Sequence, residues 1–294
     1  MRVAVTGAGG RLGRALVSAL GDAPFTGLAG PTAWRRPEFD LDDAGRINEL
    51  IERDRPEVIV HAAAWTDVDG CARDPGLAHR RNAEATGIVA EAAAGRGVDL
   101  VVVSTNEVFD GRRSDGVGYR VGDPTGPINP YGASKLAGEE AASAAFAGAA
   151  SQLAVVRTAW LYGPPGNDFP SKIVAAAERA SAAGEALPLV ADEVGSPTYT
   201  ADLAEGIVEL LGSGSFGGKH HVVNSGVASR ADWAREVLRL AGIAVETEDV
   251  PASTWPRASV PPAWAVLEPT PLPSGPALRP WQEALAEYMA IRLR

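Results

Sequence analysis

Val3-Ala4-Val5-Thr6-Gly7-Ala8-Gly9-Gly10-Arg11-Leu12-Gly13 heads the chain, and its reading decides the fold. A short, mostly β-branched run, Val3–Thr6, gives way to a glycine cluster and then to the helical stretch Arg11–Leu20. Gly7, Gly10 and Gly13 recur at every third position. Glycine tolerates a tight turn and lets backbone amides approach an anion, which the N-terminus of the next helix also attracts. A glycine loop can equally serve only as a turn. The strand–turn–helix context favours the pyrophosphate of a dinucleotide.

Outward from this turn, the first half alternates strand-like and helix-like segments. Val58–His61 and Leu100–Ser104 are continuous apolar runs, as expected of strands buried on both faces. A second strand is expected within Phe25–Ala29, and Val155–Thr158 supplies another. Leu77–Ala94 and the alanine-rich Ser134–Ala150 read as helices. The alternation predicts an α/β fold with a doubly wound parallel sheet of Rossmann type, its ligand at the carboxyl ends of the strands. The last third predicts helices at Thr200–Leu211, Arg230–Leu240 and Trp281–Leu293, separated by shorter strands such as His221–Asn224. Nine of the 22 prolines fall between Pro251 and Pro280, which predicts a loop there. Residues 1–160, with 190–225 packed onto them, form the expected dinucleotide-binding domain. Residues 161–189 and 226–294 form a smaller C-terminal substrate domain.

Composition excludes several classes of function. Of 294 residues, 46% are hydrophobic and 22% charged, so the chain can bury a core and is not disordered. Lys and Arg total 27 against 37 Asp and Glu, and a net charge of -10 argues against nucleic acid or an acidic membrane as partner. A single cysteine, Cys71, leaves no internal disulfide and no multi-cysteine metal site. No apolar run reaches membrane-spanning length, and the first residues enter a strand at once, leaving no room for a signal peptide. A cytoplasmic protein is expected. His220-His221 could suggest a metal, but adjacent strand residues face opposite ways, so structural histidines and no metal site are expected.

The chemistry centres on Tyr131-Gly132-Ala133-Ser134-Lys135, where a tyrosine has a lysine four residues on, as none of the other four tyrosines does. Positions i and i+4 share a helix face. A neighbouring ammonium favours the phenolate and lowers the phenol pKa, and such a tyrosine can protonate a carbonyl oxygen as hydride reaches its carbon. The bland alternative is a surface pair at a helix start. Ser104-Thr105-Asn106 ends a buried strand where the fold places its ligand. A hydroxyl there can bond a substrate oxygen, or merely cap the strand end.

These residues resemble the extended short-chain dehydrogenase/reductase superfamily and, more narrowly, the dTDP-4-dehydrorhamnose reductase family. The resemblance runs in order through His61–Asp69, Ser104–Gly111, Pro130–Glu139, Arg157–Gly163, Gly195–Tyr199 and Pro256 to Trp264. It implies a catalytic triad of Thr105, Tyr131 and Lys135. It also implies Gly7, Gly10, Arg11, Leu12 and Gly13 at the pyrophosphate, Asp40 and Leu41 on the adenine side, and Ala62, Ala63 and Ala64 at the cofactor ribose. Asn106 and Glu107 would lie near the sugar. Trp160 would pack on the thymine base, or be core; Arg257 would face the diphosphate, or be a surface arginine. The family's Ser-Thr-Asp-Tyr-Val-Phe reads Ser104-Thr105-Asn106-Glu107-Val108-Phe109 here, which leaves the hexose open. Ala15 stands where some members carry a glutamate that helps bind magnesium at a dimer contact, so a monomer or a homodimer is compatible with the sequence.

The implied reaction is NAD(P)H-dependent reduction at C4 of a dTDP-4-keto-6-deoxyhexose. An epimerase or dehydratase of the same superfamily, or a non-catalytic nucleotide-binding subunit, is the alternative. Proteins of this fold that select NAD place an acid after the second strand, for the ribose 2′-OH. Here Gly30–Trp34 contains none, and Arg35 and Arg36 follow, with Arg11 in the glycine turn. Guanidinium groups suit a 2′-phosphate, so NADPH is expected over NADH.

Overall fold

The structure is a computed structural model and describes residues 1–292. Six parallel strands form the central sheet: β1 (Val3–Thr6), β2 (Thr32–Trp34), β3 (Val58–His61), β4 (Asp99–Thr105), β5 (Leu153–Thr158) and β6 (Gly218–His221). Their spatial order is β6-β5-β4-β3-β1-β2. Alternate residues of each strand feed opposite layers. Val3, Val5, Val58, Val60 and Val101 pack on helices α1 (Arg11–Asp22) and α6 (Thr200–Gly212). Ala4, Ile59, Leu100 and Val102 pack on α2 (Ile47–Asp54), α3 (Ala85–Ala94) and α4 (Pro130–Ala145). Burial on both faces is why these strands read as unbroken apolar runs. The chain order reverses between β1 and β3, and the crevice at that point, beyond the strand ends, is where such sheets bind ligands.

Several boundaries differ from the sequence reading. Pro24–Ala29 forms 3-10 turns, not a strand, because Gly27 and Gly30 adopt positive φ and the Thr26 hydroxyl donates to the Leu20 and Ala23 carbonyls. The second strand is therefore Thr32–Trp34, and Arg35 and Arg36 lie directly at its carboxyl end. Helix α4 begins at Pro130, earlier than Ser134, because Asn129 caps it through Gly132 N at 2.8 Å; it ends at Ala145. The expected helix Leu77–Ala94 is interrupted by a π-turn at Arg80–Glu84. The strand expected at His221–Asn224 divides into β6 and a two-residue strand Asn224–Ser225.

A second aromatic core holds the C-terminal elements α5 (Phe169–Ala183), α7 (Arg230–Ala241) and α8 (Trp281–Arg292) around Tyr162, Trp233, Trp281 and Tyr288. Leu293, the end of the helix expected there, lies outside the described residues. The proline-rich segment is an ordered strap: Tyr119 N donates to Val266 O and Glu268 N to Tyr119 O, both at 2.8 Å, and Ala265 N donates to Val194 O at 2.7 Å. Among the described residues no helix is long and apolar enough to cross a membrane.

Candidate active site

The glycine turn is built to hold an anion. Gly10 caps α1 without any side-chain bond, which leaves the first-turn amides of the helix open. Gly7 sits at φ +65°, and a Cβ there would come within 2.8 Å of Ala63 Cα. A Cβ on Gly13 would lie 2.1 Å from Gly7 O. A side chain at Gly7 would collide with the backbone just beyond β3, and one at Gly13 would push α1 off the turn. Thr6 Oγ1 bonds His61 Nδ1 at 2.8 Å and accepts from Ala63 N at 3.2 Å, so the two strand ends are held in register around the turn. This cradle fits a dinucleotide pyrophosphate.

From the cradle the crevice runs two ways. Toward β2 it opens into a cleft of about 460 Å³, lined by Arg35, Arg36, Asp40, Leu41, Ala62–Ala64 and Arg81. Neither Arg35 nor Arg36 pairs with a carboxylate among the described residues, whereas Arg81 is held by Asp42 at 2.5 Å. Arg81 escaped the sequence reading because only the π-turn brings it to this cleft. Arg11 behaves differently from the expectation that groups it with the 2′-phosphate cations. Its guanidinium donates to Gly163 O and, at 2.7 Å, to Gly166 O, with Asp168 at 3.5 Å, so it staples the 163–168 loop to α1. Its backbone still lies in the glycine turn.

In the other direction a cleft of about 420 Å³ gathers Arg11, Leu12, Gly13, Thr105, Asn106, Tyr131, Lys135 and Trp160. Tyr131 and Lys135 come from the same face of α4 and Thr105 from the end of β4. All three are buried. The Lys135 ammonium donates to Val103 O at 2.8 Å, leaving two protons for the cleft. Burial pushes its pKa down to about 8, while the charge of Glu139 opposes this. The expectation that Lys135 lowers the Tyr131 pKa is not met. Burial and the Glu107 carboxylate push the phenol up, and the Thr105 hydroxyl only partly offsets them. Tyr131 is thus held protonated, as a proton donor needs to be.

Helix α4 is docked by a buried ion pair that the sequence did not reveal. Glu139 accepts from Arg157 at 2.9 and 2.7 Å and from Ser104 Oγ at 2.5 Å. Ser104 and Arg157 are direct neighbours across β4 and β5. Asn82 makes a second anchor, donating to Ser134 Oγ at 3.1 Å and Trp65 O at 3.0 Å. Together these fix the helix turn that carries Tyr131 and Lys135.

At the outer end, Trp160 adopts φ +44° and stacks with Trp233 at 5.8 Å. The guanidinium carbon of Arg230 stands 3.6 Å from the Trp160 ring centroid. Arg230 also lines an adjoining chamber of about 390 Å³ with Lys172, Glu193, Trp255 and Arg257. Arg257 is ion-paired to Glu193 there. Arg230 carries no sequence motif; the pairing of residues 228–229 with 194–195, and the bond from Arg230 N to Glu193 O at 3.0 Å, bring it between the two chambers. Ala15 lies on α1 in a separate groove, and among the described residues no cluster of His, Cys, Asp or Glu could hold a metal ion.

Known proteins match this chain along nearly its whole length. The family model described as RmlD substrate binding domain matches residues 1–293. A dTDP-4-dehydrorhamnose reductase from Mycolicibacterium smegmatis is 36% identical over 293 residues, covering 98% of this chain and 85% of that one. The crystal structure of a dTDP-4-dehydrorhamnose reductase from Clostridium acetobutylicum superposes with a TM-score of 0.90 at 30% identity, covering 100% of each chain. One from Bacillus anthracis, in complex with NADP, gives 0.87 at 32% identity, covering 99% of each. Family model, sequence relatives and solved structures all match along nearly the whole chain, and the chain belongs to the dTDP-4-dehydrorhamnose reductase family.

Proposed function

We propose that this protein is an NADPH-dependent oxidoreductase that reduces the C4 keto group of a dTDP-4-keto-6-deoxyhexose, dTDP-4-dehydrorhamnose to dTDP-L-rhamnose being the leading assignment. The observation that carries the reading is the meeting of Thr105, Tyr131 and Lys135 in a cleft continuous with the glycine cradle. NADPH, when bound, supplies the hydride. The backbone of Gly7 and Gly10–Gly13 would hold its pyrophosphate, Arg35 and Arg36 its 2′-phosphate, and Ala62–Ala64 its ribose. Thr105 binds the keto oxygen, Tyr131 delivers the proton to it, and Lys135 orients the nicotinamide ribose. Trp160 would stack on the thymine, with Arg230 and Arg257 beside the diphosphate; Arg230 then has to leave one face of the ring or share it.

In this reading residues 1–160 with 190–225 serve the cofactor, and 161–189 with 226–294 serve the substrate. The enzyme works in the cytoplasm as a monomer or homodimer, on a small nucleotide sugar and without nucleic acid. The test is NADPH oxidation across a panel of dTDP-4-keto-6-deoxyhexoses, with product stereochemistry from NMR. Stoichiometric oxidation supports a reductase. Substrate conversion without net oxidation would make it an epimerase or dehydratase, and binding without turnover a regulatory subunit.

A further inference from the structure

Glu107 is a carboxylate inside the catalytic cleft that the mechanism above leaves unused. It follows Thr105 by two residues, and its backbone N–H donates to Thr105 Oγ1 at 3.2 Å. Its Oε2 accepts from Asn129 Nδ2 at 2.6 Å. Asn129 in turn caps α4, the helix that carries Tyr131 and Lys135, and donates to Val260 O at 3.1 Å, so the carboxylate is held from behind by a fixed partner. Oε1 accepts no hydrogen bond from the described residues, yet it is not among the sealed unpartnered atoms. It is therefore not sealed, and the residue lines the cleft. A charged acceptor held rigid beside the reacting carbonyl, with one oxygen free, calls for a donor on the ligand.

Resting on the reductase reading, we infer that Glu107 selects the hexose: its free oxygen accepts a hydrogen bond from a hydroxyl or ammonium group on a carbon flanking the C4 carbonyl. Two observations support a recognition role over a structural one. Glu107 lines the same cleft as Tyr131 and Arg230, and Arg230 also lines the adjoining chamber that holds Glu193 and Arg257. Its only side-chain anchor uses Oε2 alone. A purely structural acceptor would not need a second, unpartnered oxygen in a site that burial makes costly for a charge; burial indeed pushes the Glu107 carboxyl upward.

Glu107→Gln tests this cleanly, since the amide oxygen can keep the Asn129 bond while the cleft-facing acceptor becomes a donor. NADPH oxidation is measured with dTDP-4-keto-6-deoxyhexoses bearing hydroxyl, amino or hydrogen at C3, and dTDP-sugar products with and without the C3 donor are titrated calorimetrically alongside dTDP. The wild type should favour donor-bearing sugars by about 10–100-fold in kcat/KM, the worth of one charged hydrogen bond. The variant should keep NADPH affinity and dTDP affinity but lose most of that ratio. The hydroxyl and amino arms tell which donor is read. An unchanged ratio in Glu107→Gln, or a wild type indifferent to the C3 group, overturns the inference. No NADPH oxidation with any sugar would overturn the reductase reading instead, and the calorimetric comparison would still decide whether Glu107 reads the C3 donor.

Discussion

Arg35→Ala and Arg36→Ala, made singly, should weaken NADPH use and leave NADH nearly untouched. Both guanidinium groups are free of carboxylate partners among the described residues and line the cleft beyond β2. A charge-assisted bond to phosphate is worth about 1.5–3 kcal/mol, and solvent exposure trims that to roughly 1–2 kcal/mol. At about 1.4 kcal/mol per factor of ten, each variant should lose ~5–30-fold in kcat/KM for NADPH. The loss should shrink at high salt, because the Debye length falls from about 8 Å at physiological ionic strength to about 3 Å at 1 M. Arg11→Ala makes the contrast. Its guanidinium serves the Gly163 and Gly166 carbonyls, so its loss should slacken the 163–168 loop and cost both cofactors alike. The assay is steady-state kcat/KM for NADPH and NADH on the wild type and the three variants. A wild-type preference for NADH, or a narrowed ratio in Arg11→Ala with none in Arg35→Ala or Arg36→Ala, would refute the reasoning.

Three other outcomes follow from the site. Tyr131→Phe keeps the ring and should lower turnover by about 10²–10⁴-fold with an unaltered melting temperature; near-normal turnover would remove the phenol from the mechanism. Lys135 carries its ammonium below its pKa of about 8, so kcat should be level under that pH and fall as pH rises through it, and a flat profile to about pH 9 would refute the role of the charge. Trp160→Ala should raise the KM for the nucleotide sugar more than it lowers kcat, because stacking on the base is remote from hydride transfer; loss of fold on calorimetry would instead mark it as a support of Trp233.

Much of this was legible along the chain because its signals are local. The glycines at positions 7, 10 and 13 follow a strand and open a helix, and the approach of Gly13 to Gly7 and the open helix end both arise at that one turn. The Tyr131–Lys135 spacing and the apolar strands likewise need only helix and sheet periodicity. The second strand was misplaced because Phe25–Ala29 is largely apolar yet bent by Gly27 and Gly30, and local hydrophobicity cannot distinguish a turn from a strand.

Sequence by itself thus determined the doubly wound sheet, the glycine turn and the pairing of Tyr131 with Lys135 on one helix face, all set by patterns a few residues long. Tertiary structure decided the rest. The Glu139–Arg157 pair joins residues 18 apart, Arg11 reaches Gly163 across 152 positions, and Asn129 meets Val260 across 131. Whether an arginine binds phosphate or staples a loop, and whether Tyr131 is stabilised charged or neutral, depends on which distant groups fold against it. Those charges and hydrogen bonds act through space over a few ångströms, and chain order does not specify them until the sheet and its helices have closed.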